Sequence, residues 1–348
     1  MIADGTCEAS DSDLLVTSPL VSVLMTTYNH AEYLADAIEG VVNQRCPFSF
    51  ELIIGEDAST DATRQVALDY QKRYPELIRV VYSDHNIGMI ENSRRIFARA
   101  RGKYIAYCEG DDFWCARDKL ARQVKLIDGH NDIGVVHSDW TKATLHNGTW
   151  KFDLRRSVHR RVALHYLQGD LFRTWHFPKI LRTCTLLIRR ELTQACYASG
   201  LSDGGYPFGD SIHNAFATSL YKVAYLPEVA SVYRVSPNSA LRSGTQMRVR
   251  FCEGCLRFDT AARAYFAGWT SYQPDYRWEA DAGLLAWGLR ARDWHAITLA
   301  IRDIRKHFTL REFVAGGYRA ISMRLPTLRR QHRDVPDMPG TIRAKPIR

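Results

Sequence analysis

No stretch of this 348-residue chain stays apolar for the roughly 18 residues a helix needs to cross a bilayer, so no spanning helix is expected. The first twenty residues, MIADGTCEASDSDLLVTSPL, have neither a basic start nor an apolar run, and no secretory signal is expected there. Cysteine is sparse and scattered, at 7, 46, 108, 115, 184, 196, 252 and 255. Only Cys252 and Cys255 form a CxxC, and no second CxxC stands at zinc-ribbon spacing. At helical spacing that pair reads as core-facing thiols. There is no disulfide framework, and a reducing compartment fits. The Asn147 sequon then carries no meaning. No internal repeat is present.

What is there suits a packed protein: 46% apolar and 24% charged residues, enough for one large domain with an extension or for two domains. The net charge of +9 is uneven, because from Ile301 onward twelve Lys or Arg face four Asp or Glu. An anionic membrane surface, nucleic acid or a solvated tail each fits that excess.

Apolar runs predict strands over Leu20–Met25, Glu51–Ile54, Ile78–Tyr82, Lys103–Cys108 and Ile133–His137. Between the first two, Leu34, Ile38, Val41 and Val42 repeat at helical spacing. Thr60 and Asp61 precede a helix through Val66, Leu68 and Tyr70 that closes near Pro75. A third helix carries Ile90, Arg94 and Phe97 and stops at Gly102. A fourth carries Leu120, Val124 and Ile127. Alternation of this kind predicts an α/β fold with a mainly parallel central sheet covered by helices on both faces. Ligands then bind beyond the carboxyl ends of the strands. Further on, CTLLIR, KVAYL and ASVYR read as short strands around a helix with Ile212, Phe216 and Leu220. Beyond about 245, Arg-rich amphipathic stretches read as a helical extension.

The stretch after the first strand, LMTTYNHAEYL, contains no glycine. A dinucleotide-binding turn needs glycine there, which argues against an NAD-dependent dehydrogenase. Three stretches meet at the predicted sheet edge instead: TTYNHAEYL, GEDASTDAT and EGDDFW. Tyr28 and Asp57 at neighbouring strand ends suit a flat base with an N–H edge. Asp57 with Ser59 equally fits an Asx turn, and Tyr28 an ordinary loop. The carboxylates of Glu109, Asp111 and Asp112 repel one another beside Phe113 and Trp114, which favours a divalent cation held through oxygen.

PLVSVLMTTYNHAEYLADAIEGVVNQ, ELIIGEDASTDAT, NIGMIENSRRIFARARGKYIAYCEGDDFW and DKLARQVKLI, in that order and spacing, resemble the family-two glycosyltransferases of GT-A fold, in a sub-group with EGDD. The resemblance implies a metal-dependent, inverting transfer from a nucleotide-sugar, UDP-sugar by family frequency, to a hydroxyl of a saccharide or lipid-linked acceptor. Surface polysaccharide synthesis is the expected setting. It implies that Thr26 and Tyr28 contact the base, that Asp57 reads its edge, and that Glu56 stands where relatives carry Asp. It places Glu109 at the ribose or metal shell, Asp111 on Mn²⁺ or Mg²⁺, and Asp112 in support. YPFGDSIHNAF resembles the segment carrying the general base, which makes Asp210 the expected catalytic residue. A helix N-terminus favours negative charge, which suits a base, and an N-cap role is compatible with it. Arg234, His213 and Arg182 are expected at the diphosphate or acceptor, with His176–Glu191 shaping the acceptor pocket.

The expected divisions are a flexible N-terminus (1–18), a transferase domain (19–245, split at 140 into nucleotide and acceptor halves), a helical extension (246–325) and a basic, disordered tail (326–348). The expected location is the cytoplasm, with peripheral contact at the inner face of its membrane through the basic C-terminal region; no nucleic acid is expected. An inactive nucleotide- or carbohydrate-binding module of the same fold is the alternative.

Overall fold

The computed structural model describes residues 6–147, 149–172, 174, 180–235, 244–266, 274–307, 310 and 314. A short edge strand, β1 (Cys7–Ala9), precedes β2 (Val21–Thr27), β3 (Phe50–Glu56), β4 (Ile78–Tyr82) and β5 (Tyr104–Tyr107). The last four run parallel in the order β4-β3-β2-β5. Their residues are almost all buried, which is why they read as apolar runs rather than as an alternating pattern. Val21, Val23 and Met25 face one core and Leu24 the other, the two-residue period of a strand covered on both sides.

Helices α1 (Leu34–Val42), α2 (Thr63–Arg73), α3 (Met89–Phe97) and α4 (Lys119–Asp128) connect these strands and follow them. α1 buries Leu34, Ala37, Ile38 and Val41, the stripe its spacing predicts. α3 stops five residues short of Gly102. That glycine packs on β2 instead, where a Cβ would lie 2.5 Å from the Ser22 nitrogen. Residues 7–9, expected in a flexible terminus, pair antiparallel with β4. Glu8 holds them there through Arg79 (2.8 Å) and Arg99 (2.9 Å).

The second half adds β6 (Phe113–Trp114), β7 (Ile133–His146), β8 (Thr149–Lys151), β9 (Leu186–Arg189), α5 (Arg190–Ala198), α6 (Asp210–Leu220) and β10 (Lys222–Arg234). β9 lies antiparallel between β5 and β7, β10 runs parallel to β7, and β6 pairs antiparallel with β10. β2 to β5 are therefore parallel as expected, and the whole sheet is mixed. KVAYL and ASVYR are one strand rather than two. Its register shifts between Leu226 and Val229, around Pro227, which has no N–H for the ladder.

The extension is α7 (Thr245–Tyr265), α8 (Pro274–Ala291) and α9 (Trp294–His307). Cys252 and Cys255 are buried free thiols on α7, facing the core as their spacing implies. Across this bundle, Arg277 joins the buried Asp259 (2.6 Å) to Asp303 (2.5 Å). Among the described residues no helix is long and apolar enough to cross a membrane. The expected disordered tail, 326–348, lies outside the described residues.

Candidate active site

β2, β3 and β5 end side by side, and hydrogen bonds stitch together the loops that follow. The Asp57 N–H donates to the Thr27 carbonyl (3.2 Å), and the Gly110 N–H to the Thr26 carbonyl (3.0 Å). The Asn29 N–H donates to Ser59 Oγ (3.0 Å), while Asn29 Oδ1 accepts from the Thr60 N–H (2.9 Å). These bonds hold Asn29 and Ala58 in the left-handed region, at φ 54° and 56°. Thr26, Tyr28, Asp57 and the acidic turn thus share one sheet edge. Gly110 is where the turn crosses β2: a Cβ there would lie 2.7 Å from Thr27 Oγ1 and 3.0 Å from His30 Nδ1.

The two carboxylates after β3 differ. Asp57, buried, accepts from the Ile87 N–H (2.8 Å) and the Gly88 N–H (3.0 Å), which fixes its direction. Both oxygens of Glu56 are engaged, one by the Ser59 N–H of its own loop (2.6 Å) and one by Arg64 Nε on α2 (2.6 Å). The loop-capping role that the sequence offered to Asp57 and Ser59 belongs to Glu56. Tyr28 stands 43% exposed, its ring open to a stacking partner.

In the acidic turn, Asp112 is buried and accepts the Arg234 backbone N–H (2.9 Å). The Cys184 thiol also donates to it. Ligand atoms of Glu109, Asp112 and Cys184 all lie within 4.8 Å of one another. Burial, then the charge of Asp111, pushes Glu109 up to about 7, and the same two causes hold Asp112 well above the usual carboxylate range. The Asp210 charge contributes to the rise at Glu109, so that carboxylate acts on the same space from α6. Asp111 is half-buried and stands outside the closest donor set among the described residues.

Arg234 closes the turn from behind. Its Nη1 donates to the Asp111 carbonyl (3.1 Å), and its guanidinium pairs with Asp36. The rings of Phe113, Tyr33 and Trp150 surround it at 4.6, 5.4 and 5.8 Å. Arg182 lies over Tyr233 (4.1 Å) and Trp140 (4.8 Å). Asp210 is the first residue of α6, exposed, and accepts from the Ser211 N–H (2.7 Å) rather than from Ile212 or His213. His213 is largely buried, bonds the Gly209 carbonyl (3.1 Å), and packs its ring 4.9 Å from Tyr197. Burial pushes its pKa down. Of the expected acceptor stretch, 175–179 lie outside the described residues.

Several buried polar atoms around this space have no hydrogen-bond partner among the described residues: Thr27 Oγ1, His30 Nδ1, Glu109 Oε2, Arg182 Nε, Arg234 Nε and His213 Nε2. Buried polar groups are nearly always paired in folded proteins, so these atoms make the space a candidate ligand site, although others without a partner among the described residues lie elsewhere, in Asp259 and Asp281 for example. The donors fit a divalent cation on two counts. Glu109 has a free buried oxygen, and the cluster holds mutually repelling carboxylates whose charge is incompletely met. Thr27, His30 and Asp36 lie in TTYNHAEYL and the helix after it but had no role read for them, and Thr183, which bonds Glu109, was expected only within the acceptor stretch. The sequence had put Cys184 only in the acceptor pocket.

Residues 22–193 match the family model described as glycosyl transferase family 2. Uncharacterised proteins of Mycobacterium tuberculosis (strain H37Rv) and Mycobacterium bovis are 31% identical over 241 residues, 67% of this chain and 64% of theirs. The chain thus spans just under two thirds of the length of these curated relatives. TuaG of Bacillus subtilis (strain 168), described provisionally as a teichuronic acid biosynthesis glycosyltransferase, is 38% identical over 109 residues, 31% of this chain and 42% of that protein. Among solved structures, the mannosyltransferase PcManGT of Pyrobaculum calidifontis, in complex with GDP-Man and Mn²⁺, aligns with a TM-score of 0.50 at 20% identity, over 87% of this chain and 85% of that one. That likeness concerns the fold alone. The matched residues run from β2 into α5, so this segment belongs to glycosyltransferase family 2, and the chain has the GT-A fold.

Proposed function

We propose that this protein is a metal-dependent, inverting glycosyltransferase that moves a sugar from a nucleotide-sugar to a hydroxyl of a saccharide or lipid-linked acceptor. The observation that carries the reading is the convergence of three strand-end loops on a carboxylate cluster with an unpartnered buried oxygen at Glu109. In this reading Tyr28 stacks on the base, Thr26 lines it, and Asp57, held by two backbone amides, reads its N–H edge. Glu56 supports Asp57 by fixing the loop. Glu109 and Asp111 hold Mn²⁺ or Mg²⁺, and Asp112 anchors their turn to β10. When bound, that cation neutralises charge on the departing diphosphate. Arg234 keeps the turn in place beneath it, while Arg182 and His213 line the acceptor side.

Asp210 accepts the proton of the acceptor hydroxyl. The acceptor oxygen bonds to the anomeric carbon as that carbon's bond to the diphosphate oxygen breaks, and the electron pair leaves with the nucleoside diphosphate. Attack from the side opposite the leaving group inverts the anomeric centre. The provisional description of TuaG and the GDP-Man and Mn²⁺ bound to PcManGT support a surface-polysaccharide role and a divalent ion. Family frequency favours UDP over GDP or dTDP. A lipid-linked acceptor implies work at the inner face of the cytoplasmic membrane. We divide the chain into a transferase domain over 19–245 and the helical extension after it.

A thermal-shift panel of UDP, GDP, dTDP and NAD, each with and without Mn²⁺, tests the reading. Stabilisation by one nucleoside diphosphate only with metal, abolished in Asp111→Ala, is the expected result. Stabilisation by NAD without metal overturns it. Asp210→Asn should keep donor binding and lose about 100-fold or more of transfer. Binding without any turnover in the unaltered protein would mark the inactive-module alternative, which the presence of both Asp111 and Asp210 disfavours.

A further inference from the structure

The α8–α9 hairpin carries a surface that the crevice does not use. Leu289 is 62% exposed, Trp294 73% and Ile301 42%. Trp294 and Ile301 stand seven residues apart on α9 and so share a side of the helix. Ala296 and Ala300, on the other side, are wholly buried. Around the three apolar side chains stand Arg290, Arg292, Arg302, Arg305 and Lys306, all exposed. None of the five is in an ion pair among the described residues. The two acidic residues on α9 and in the turn before it point to other partners. Asp293 accepts the Ala296 N–H (3.0 Å) and a Gln246 amide (3.1 Å), and Asp303 turns inward to Arg277. Folding thus leaves cations and large apolar side chains outward on this face, engages Asp293 in the turn and directs Asp303 inward.

We infer that this hairpin docks the enzyme on an anionic lipid surface. A tryptophan beside aliphatic side chains suits the boundary between headgroups and acyl chains, and arginines at its rim meet lipid phosphates. Nucleic acid would engage the cations but gain nothing from Leu289 and Ile301. A second copy of the same face would bring five cations against five. The inference gives the proposed lipid-linked acceptor a place to be met, and it rests on that reading only there. The surface itself is separate from the donor site.

The test is co-sedimentation of the full chain with vesicles of phosphatidylcholine alone or with about 30% phosphatidylglycerol, the anionic lipid supplying the charge. The unaltered protein should pellet only with the anionic vesicles. Arg302→Glu/Arg305→Glu should weaken partition by well over tenfold, since each basic residue at such a surface contributes roughly fivefold. Trp294→Ser/Ile301→Ser should weaken it by about tenfold. Both variants alter exposed positions and should keep the parent melting temperature and the metal-dependent nucleotide shift. Failure here therefore leaves the donor reading standing, and failure of the nucleotide panel leaves this one standing. Equal binding of the Trp294→Ser/Ile301→Ser variant and the parent overturns the inference, as does absence of parent binding. A parent dimer in light scattering that this variant abolishes, or retention by RNA that it loses, overturns it in favour of those partners.

Discussion

Asp281 offers a test of the bundle that carries the α8–α9 hairpin. It is 3% exposed on α8, and its Oδ1 has no hydrogen-bond partner among the described residues. Burial, followed by the charge of Asp303, carries its pKa from 3.8 up to about 7. The protonated acid donates to Asp303; the ionised one faces a second carboxylate. A folded-state value above the unfolded one means stability that is full below about pH 4 and lost as pH rises through about 7. The rise is worth roughly 4 kcal/mol at most. Asp281→Asn keeps the shape and the donor of the protonated acid and cannot ionise. Urea unfolding at pH 5 and pH 8 should show the variant gaining on the parent between those values, by about 2–4 kcal/mol. Other titrating groups act on both proteins alike and cancel in that difference. A constant offset between them across pH would refute the argument, because Asp281 would then ionise as easily folded as unfolded.

Gly110→Ala should leave the fold intact by circular dichroism but weaken metal-dependent nucleotide binding about tenfold or more, because its Cβ would lie 2.7 Å from Thr27 Oγ1 and displace the acidic turn. Glu51→Gln should destabilise the protein by about 3 kcal/mol in urea unfolding. Its buried carboxylate takes Arg101 Nη2 (2.7 Å), Arg79 Nη1 (3.4 Å) and Ser22 Oγ (2.6 Å), and the amide leaves both arginines short of a charge. Lys119 is wholly buried, 4.0 Å over the Trp114 ring, and burial pulls its pKa down to about 7. Folding therefore favours its neutral amine, and stability from this group grows as pH rises from about 7 toward its unfolded value. Lys119→Met should raise the unfolding midpoint at pH 6 and lose that advantage by pH 10.

The first half of the fold was legible because burial on both faces leaves an unbroken apolar run. Ile78–Tyr82 is bounded in the structure as its sequence bounds it, and α1 buries the stripe its spacing marks. The three site loops were legible for the same reason, since they follow strands whose ends could be read. β9 and β10 were legible as strands, in CTLLIR, KVAYL and ASVYR, but their direction and place in the sheet were not. Both are short or interrupted runs, and periodicity carries neither strand direction nor strand order. Nothing local says that Leu186–Arg189 slips antiparallel between β5 and β7, yet that insertion is what delivers Thr183 and Cys184 to the acidic turn.

Charge shows the same division more sharply. An excess of carboxylates within four residues, Glu109 to Asp112, can be read directly, and so can the requirement that something offset it. What offsets it is remote. Asp112 is met by a backbone amide 122 residues away, at the end of a strand whose pairing with β6 sets the distance. Arg234 is itself neutralised by Asp36, which lies a further 198 residues back along the chain. Folding therefore gives Asp112 the Arg234 amide and Arg234 the Asp36 carboxylate, but leaves Glu109 Oε2 and Arg234 Nε buried without a partner among the described residues. Asp259 in the Arg277 network also keeps an oxygen without a partner among the described residues, so what sets Glu109 apart is its place where three strand-end loops converge beside two further carboxylates. Of the acids with an unmet buried oxygen, Glu109 is the one at the mouth of three converging loops, and it is there that the proposed cation would complete the charge balance.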